Sequence, residues 1–206
     1  MTARNRYHHG NLRAALIDAA LDLLRTAGLE GLSLRAVARG AGVSQTAPYS
    51  HFSDKRALLA AVAETGFQQL VSAMRAEAAS CTRAETRLAR LGKGYVRFAL
   101  KEPALFRLMF GSELGDIGDF PALGKVAGQA YDQLRQSVST LMEGAPAAQH
   151  NAECVAAWSL VHGLAVLLMD GRIAQPAETR EQLIEDTTAA FAARLAALAS
   201  SPIRGR

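Results

Sequence analysis

Residues 33–56 constrain this chain more than any other stretch, because they prescribe two short helices and the turn between them. Ser33 precedes Leu34-Arg35-Ala36-Val37-Ala38-Arg39, and its hydroxyl can accept one of the N–H groups that a helix start leaves without a partner. Ala38 is small enough for a second helix to cross closely above it. Gly42 stands where the chain must turn and where positive φ is needed. Val43 fills the gap between the helices, and Ser44 is placed to cap a second helix over 44–52. That helix carries Gln45, Thr46, Tyr49 and His51, all with hydrogen-bonding tips. A helix made for core packing does not carry them, so the pattern points to a helix-turn-helix of the kind that enters DNA.

Charge supports the same reading. The chain holds 23 Lys+Arg against 19 Asp+Glu, a formal charge of +4. Arg4, Arg6, Arg13, Arg25, Arg35, Arg39, Lys55 and Arg56 face only Asp18, Asp22, Glu30 and Asp54 within residues 1–56, so the whole excess lies there. Positive charge gathered on one small module is the footprint expected of a phosphate-binding surface. A solvated face with a chance excess is the plainer account of the charge taken alone.

The rest reads as helix. Half of the 206 residues are hydrophobic but only 6% are aromatic, and alanine and leucine dominate over β-branched residues. Asn11 is placed to cap a helix with an apolar face at Leu12, Leu16, Leu23 and Leu24, which Gly28 ends. Ser53 or Asp54 starts a long helix through Leu58, Val62, Phe67, Leu70 and Met74. Leu88, Leu91, Tyr95, Phe98 and Ala99 mark one further amphipathic helix, and Pro103 opens a short apolar one to Phe110. After a glycine-rich loop, a helix runs from Leu123 to Leu141, and the last two run from about Ala148 to Asp170 and from Pro176 to Ala199. The expectation is an all-α chain with a basic arm at 1–10, a three-helix bundle at 11–56, a connector helix reaching about 78, and a helical domain at 79–200. Cys81 and Cys154 lack metal-ligand spacing and read as two free thiols, with one disulfide left open. The longest apolar run, Val155–Met169, is broken by Ser159, His162 and Gly163 and is shorter than the roughly 20 residues of a membrane span. With no signal-peptide pattern at the start, a cytoplasmic location without membrane contact is expected.

Leu32-Ser33-Leu34-Arg35-Ala36-Val37-Ala38, Gly42-Val43-Ser44, Pro48-Tyr49-Ser50-His51-Phe52 and Ser53-Asp54-Lys55-Arg56-Ala57-Leu58-Leu59 together resemble the DNA-binding domain of the TetR/AcrR family of bacterial transcriptional regulators. Trp158, His162 and Gly163, with Pro103–Phe110 upstream, resemble the subgroup whose regulatory domain carries a Trp/His/Gly signature. The resemblance implies a homodimer reading two halves of a palindromic double-stranded DNA operator. It also implies dimerisation through the last two helices, and repression relieved when a small molecule enters the C-terminal ligand-binding domain. An apolar domain with few charges suits a hydrophobic effector, and no cofactor or metal is called for.

Within the motif, Gln45 is the first candidate for a base, since its amide can pair bidentately with adenine. Thr46 and Ala47 suit a thymine methyl. By resemblance Arg35 reaches a base, with a phosphate or plain solvent as the alternatives, and Tyr49 and His51 bind backbone phosphates. Lys55 joins its ammonium to a helix N-terminus, which favours a phosphate. Ser33, Ser44 and Ser50 complete the candidate contacts, and Phe52 is expected in the core. Pro48 is a departure: it lacks an N–H and disfavours helical geometry at Ala47, so a distorted first turn is expected. Arg4, Arg6 and His8 read as an arm along the DNA or as a frayed end. In the second half, Tyr95, Phe98, Phe106, Met109, Phe110, Tyr131, Trp158 and His162 are candidates for lining the effector pocket or for simple core, His162 being the polar candidate among them.

Two other classes fit less well. An enzyme would need a nucleophile–base pair, paired carboxylates, metal ligands or a glycine-rich phosphate loop, and the sequence offers none. A helical interaction protein without DNA binding would account for the second half but not for the polar segment at 44–52.

Overall fold

The structure is a computed structural model that describes residues 12–174 and 176–200. Among these residues it is all-α: α1 (Leu12–Ala27), α2 (Leu34–Gly40), α3 (Lys55–Ala78), α4 (Ala84–Lys101), α5 (Pro103–Phe110), α6 (Pro121–Leu141), α7 (Ala147–Met169) and α8 (Ala177–Ser200), with short 3₁₀ segments between some of them. The arm at 1–10 and the expected cap Asn11 lie outside the described residues. Backbone contacts divide the chain into two compact units. Among the described residues, one joins 12–66 with Ala104–Gly124, and the other joins Phe67–Pro103 with 125–174 and 176–200.

In the first unit, α1 buries Leu16, Ile17, Ala20, Leu21 and Leu24, a stripe at three- and four-residue spacing. Ser33 caps α2 as its sequence position suggests, its Oγ accepting the Ala36 N–H at 3.2 Å. The end of α2 is closed by two backbone bonds, Gly42 N–H to the Arg39 carbonyl at 3.1 Å and Val43 N–H to the Ala38 carbonyl at 3.0 Å. This is a Schellman closure, and it requires the left-handed φ of +70° found at Gly42. A Cβ at Gly42 would meet nothing within 4 Å, so a substitution there strains the backbone alone. Gly42→Ala is therefore expected to destabilise the fold by about 1–2 kcal/mol, read as a lowered midpoint in urea unfolding.

Asp54 caps α3 by accepting the Ala57 N–H at 2.8 Å. All six residues from Leu58 to Ala63 are buried, so this part of α3 is enclosed on every side. Helix α5 crosses α3 at Gly66, where a Cβ would come within 2.6 Å of the Met109 sulfur.

In the second unit, α4 packs closely on α7 and α8. A core of Leu88, Val138, Met142, Cys154, Ala192 and Leu195 draws on α4, α6, α7 and α8. Both cysteines are free thiols. Lys93 is only 6% exposed, yet its ammonium lies 2.7 Å from Glu185 and 2.9 Å from Glu181 on α8. The Glu185 hydrogen bond outweighs desolvation, holding Lys93 charged and Glu185 ionised. Arg97 adds ion pairs to Glu77 and Glu181, tying α4 to α3 and α8.

Two sequence expectations are corrected. The second helix of the motif is not an α-helix over 44–52 but a single 3₁₀ turn at Ala47–Ser50. Pro48 is the cause. It offers no N–H, and the bonds around it run three residues back: Ala47 to Ser44, Tyr49 to Thr46 and His51 to Pro48. Ser44 does not act as a cap, its hydroxyl bonding instead to that of Thr46 at 3.2 Å. Second, α7 as a whole is long and apolar enough to cross a membrane, which the interrupted run at Val155–Met169 concealed. It packs on α4 and buries Cys154, Ala157, Leu164, Ala165 and Leu168 within its own unit.

Candidate nucleic-acid interface

Every proposed DNA-contacting side chain in the first unit is exposed except Ala47, which is half-buried. The 3₁₀ geometry arranges them. Residues three apart eclipse in such a turn, so Thr46 and Tyr49 share one edge, Ala47 and Ser50 the next, and Pro48 turns into the core. Tyr49 is 52% exposed although it is large and aromatic, while its neighbour Phe52 is 3% exposed. Phe52 holds the segment to the unit by its buried ring and by its N–H, which donates to the Pro48 carbonyl at 2.9 Å. The Arg13 guanidinium of α1 lies 5.6 Å from the centre of that ring.

Hydrogen bonds sort the hydroxyls by what they have left to give. Ser33 accepts from the backbone at the start of α2 and keeps its own hydrogen for an outside acceptor. Ser50 donates its hydrogen to the Ala47 carbonyl at 2.8 Å. Lys55 reaches the Leu29 carbonyl at 3.4 Å, a long contact that leaves its other donors available.

The basic residues divide in the same way. Arg35, Arg39 and Lys55 are exposed and form no ion pair among the described residues. Arg25 pairs with Asp22 at 3.3 Å. Arg56, which the charge count groups with the phosphate footprint, is engaged elsewhere. Its guanidinium donates to the Leu114 and Asp116 carbonyls at 2.6 and 2.9 Å, pairs with Asp119 at 2.7 Å, and lies 4.9 Å from the Phe120 ring centre. Sequence reasoning missed this role, since its partners lie about sixty residues further along and no local pattern announces them.

The candidate pocket residues separate between the units. Phe106, Met109 and Phe110 lie in the first, with the Phe106 and Phe110 rings 4.8 Å apart. Tyr95, Phe98, Tyr131, Trp158 and His162 lie in the second. There the Tyr95 hydroxyl sits 2.8 Å from His162 Nδ1 and accepts from Trp158 Nε1 at 3.4 Å, while the Tyr131 and Trp158 rings are 5.6 Å apart. Burial raises the Tyr95 pKa and lowers that of His162, so both are neutral near pH 7. With Trp158 Nε1–H donating to the Tyr95 oxygen, the bond between the Tyr95 hydroxyl and His162 Nδ1 takes its direction from the His162 tautomer. A groove of about 140 Å³ between α4 and α8 is lined instead by Glu85, Thr86, Arg90, Lys93, Glu185 and Thr188, among others, and by none of the candidate pocket residues.

Comparison with known proteins meets this geometry at both ends of the chain. Residues 16–62 match the model for bacterial regulatory proteins of the tetR family, and residues 88–191 match that for a tetracyclin repressor-like C-terminal domain. The chain belongs to the TetR family. The first of these matches contains the Ser33 cap, the Gly42 turn and the exposed segment around Tyr49. A protein of unknown function from Rhodococcus sp. RHA1 is 32% identical, with a TM-score of 0.78 over 93% of this chain and 99% of the other. The fold is shared with a TetR variant from Acinetobacter baumannii AYE in complex with minocycline, at 22% identity and a TM-score of 0.62 over 92% of this chain and 98% of that one. The class C tetracycline repressor of Escherichia coli is 54% identical over 52 residues. That alignment spans 25% of this chain and 24% of the repressor, so likeness to such curated relatives is confined to about a quarter of their length.

Proposed function

We propose that this TetR-family chain is a cytoplasmic, non-catalytic transcriptional repressor that binds a palindromic operator as a homodimer and leaves it when a small hydrophobic molecule enters the C-terminal domain. The observation that carries the reading is the exposed segment at 44–51 beside Arg35 and Lys55, polar at its tips and pinned by one buried aromatic ring. Gln45 is assigned to base reading, with Arg35, Thr46 and Ala47 as further base contacts. Tyr49, His51, Lys55, Ser33, Ser44 and Ser50 are assigned to phosphates. Residues 11–56 with the start of α3 form the DNA-binding domain in this proposal, and 79–200 the regulatory and dimerisation domain of the Trp/His/Gly subgroup.

Dimerisation through α7 and α8 is supported by the large apolar side chains these helices leave in solvent: Val155, Trp158 and Leu167 on α7 and Leu198 on α8. Two-fold symmetry of such a dimer would match that of the operator.

The phosphate assignments are tested by salt titration. Lys55→Ala and Tyr49→Phe are each expected to weaken binding to all DNA by a similar factor. Lys55→Ala is also expected to lower the slope of log K against log salt by about one. A Lys55→Ala protein with the wild-type slope would remove that residue from the interface.

A further inference from the structure

Helix α6 carries a buried side chain that the fold leaves unmet. Gln133 is 7% exposed, and neither its amide nitrogen nor its amide oxygen has a hydrogen-bond partner among the described residues. The other three buried polar or charged side chains, Lys93, Ser137 and Thr188, are all satisfied. Lys93 has its two glutamates. Ser137 donates to the Gln133 backbone carbonyl at 3.1 Å, and Thr188 donates to the Ile184 carbonyl at 2.9 Å. The Tyr95 hydroxyl is also met, by His162 and Trp158. A buried carboxamide with both ends unpaired is costly, because water solvated both before folding. Leucine would fill nearly the same volume without that cost.

The neighbours of Gln133 along its own helix are small. On the same face of α6, one turn to either side, stand Ala130 and Ser137, both buried and both small. Further along α6, Val138 and Met142 join the core shared with α4, α7 and α8. The chemistry of a match follows from the amide, which presents an N–H donor and a carbonyl acceptor side by side. A lactam, amide or imide presents the complementary pair and closes two hydrogen bonds at once. A formal charge is disfavoured, since the buried cation of this unit, Lys93, is already neutralised by Glu181 and Glu185.

We propose that Gln133 is a specificity residue for the effector, and that the effector is a neutral, largely apolar molecule bearing a lactam-type donor–acceptor edge. This rests on the ligand-responsive reading given above.

The test compares the full-length protein with Gln133→Leu in two measurements. Without ligand, the variant is expected to melt about 2–4 °C higher, because an unpaired polar group has been replaced by hydrocarbon. A lower or unchanged melting temperature would overturn the proposal, since it marks a glutamine that the folded chain already satisfies. In calorimetry without DNA, 2-quinolone carries the lactam edge and quinoline has the same outline without it. Wild type is expected to bind 2-quinolone at least about tenfold more tightly than quinoline, and the variant to lose that preference. The same preference in both proteins, or binding of neither probe to wild type, would overturn the assignment. Operator binding separates this failure from that of the underlying reading. Probes that displace DNA equally from both proteins keep the repressor and remove the role of Gln133. Gln133-dependent binding of 2-quinolone that leaves DNA affinity unchanged keeps the site and removes effector control.

Discussion

Phe52→Ala is expected to destabilise the first unit by about 3–4 kcal/mol, as large aromatic truncations in a packed core do. The ring is 3% exposed, lies beneath the Arg13 guanidinium, and follows directly on the exposed turn. Its N–H holds the Pro48 carbonyl, so the residue fixes the turn through both its side chain and its backbone. Little else holds a 3₁₀ turn of four residues, because such a turn has few bonds of its own. Against a typical total stability of about 5–15 kcal/mol, the loss is large enough to be seen directly in urea unfolding followed by circular dichroism. Binding to any DNA should fall with it. Wild-type stability in this variant would mean that the turn is held by something other than the Phe52 ring.

Gln45→Ala is expected to act differently, leaving the fold intact and removing sequence discrimination. The side chain is exposed, so its truncation opens no cavity. A bidentate amide–adenine pair contributes about 1–3 kcal/mol of discrimination, a change of roughly 5- to 150-fold in the ratio of operator to random-sequence affinity. Affinity for random DNA should be unchanged, since phosphate contacts supply nearly all of it. This signature is the reverse of that expected for Lys55→Ala, which lowers both affinities together. A Gln45→Ala protein that keeps its discrimination would move base reading to another residue, with Arg35 and Thr46 next in line.

What the sequence could reveal was what local rules decide. The Ser33 cap, the positive φ at Gly42 and the burial of Phe52 each depend on a few neighbouring residues and stand as read, and of the two expected starts of α3, Ser53 or Asp54, the structure uses Asp54. The ends of α1, α5, α7 and α8 likewise fall within one or two residues of their expected positions. Pro48 was legible as a disturbance, but its extent was not. A missing N–H and a restricted Ala47 were expected to distort one turn, and with so short a segment no regular α-helical turn was left to recover the pattern.

Long-range partners were the other blind spot. Arg56 looks like one more phosphate-seeking cation until the carbonyls of Leu114 and Asp116 take its donors. Lys93 and Gln133 carry polar side chains that suit a solvated helix face, and both are buried. Glu181 and Glu185, about ninety residues away, explain the first. For the second, no described residue supplies the explanation, and its unmet amide is the reason to look for a ligand.

The central claim is that the exposed surface around Gln45, Tyr49 and Lys55 reads a specific DNA sequence. The most direct measurement is a competition mobility shift of the purified chain on the DNA flanking its own coding sequence, with a scrambled fragment of equal length as competitor at fixed salt. Specific reading predicts a complex that survives about a thousandfold excess of the scrambled DNA. Equal competition by the two fragments would contradict it.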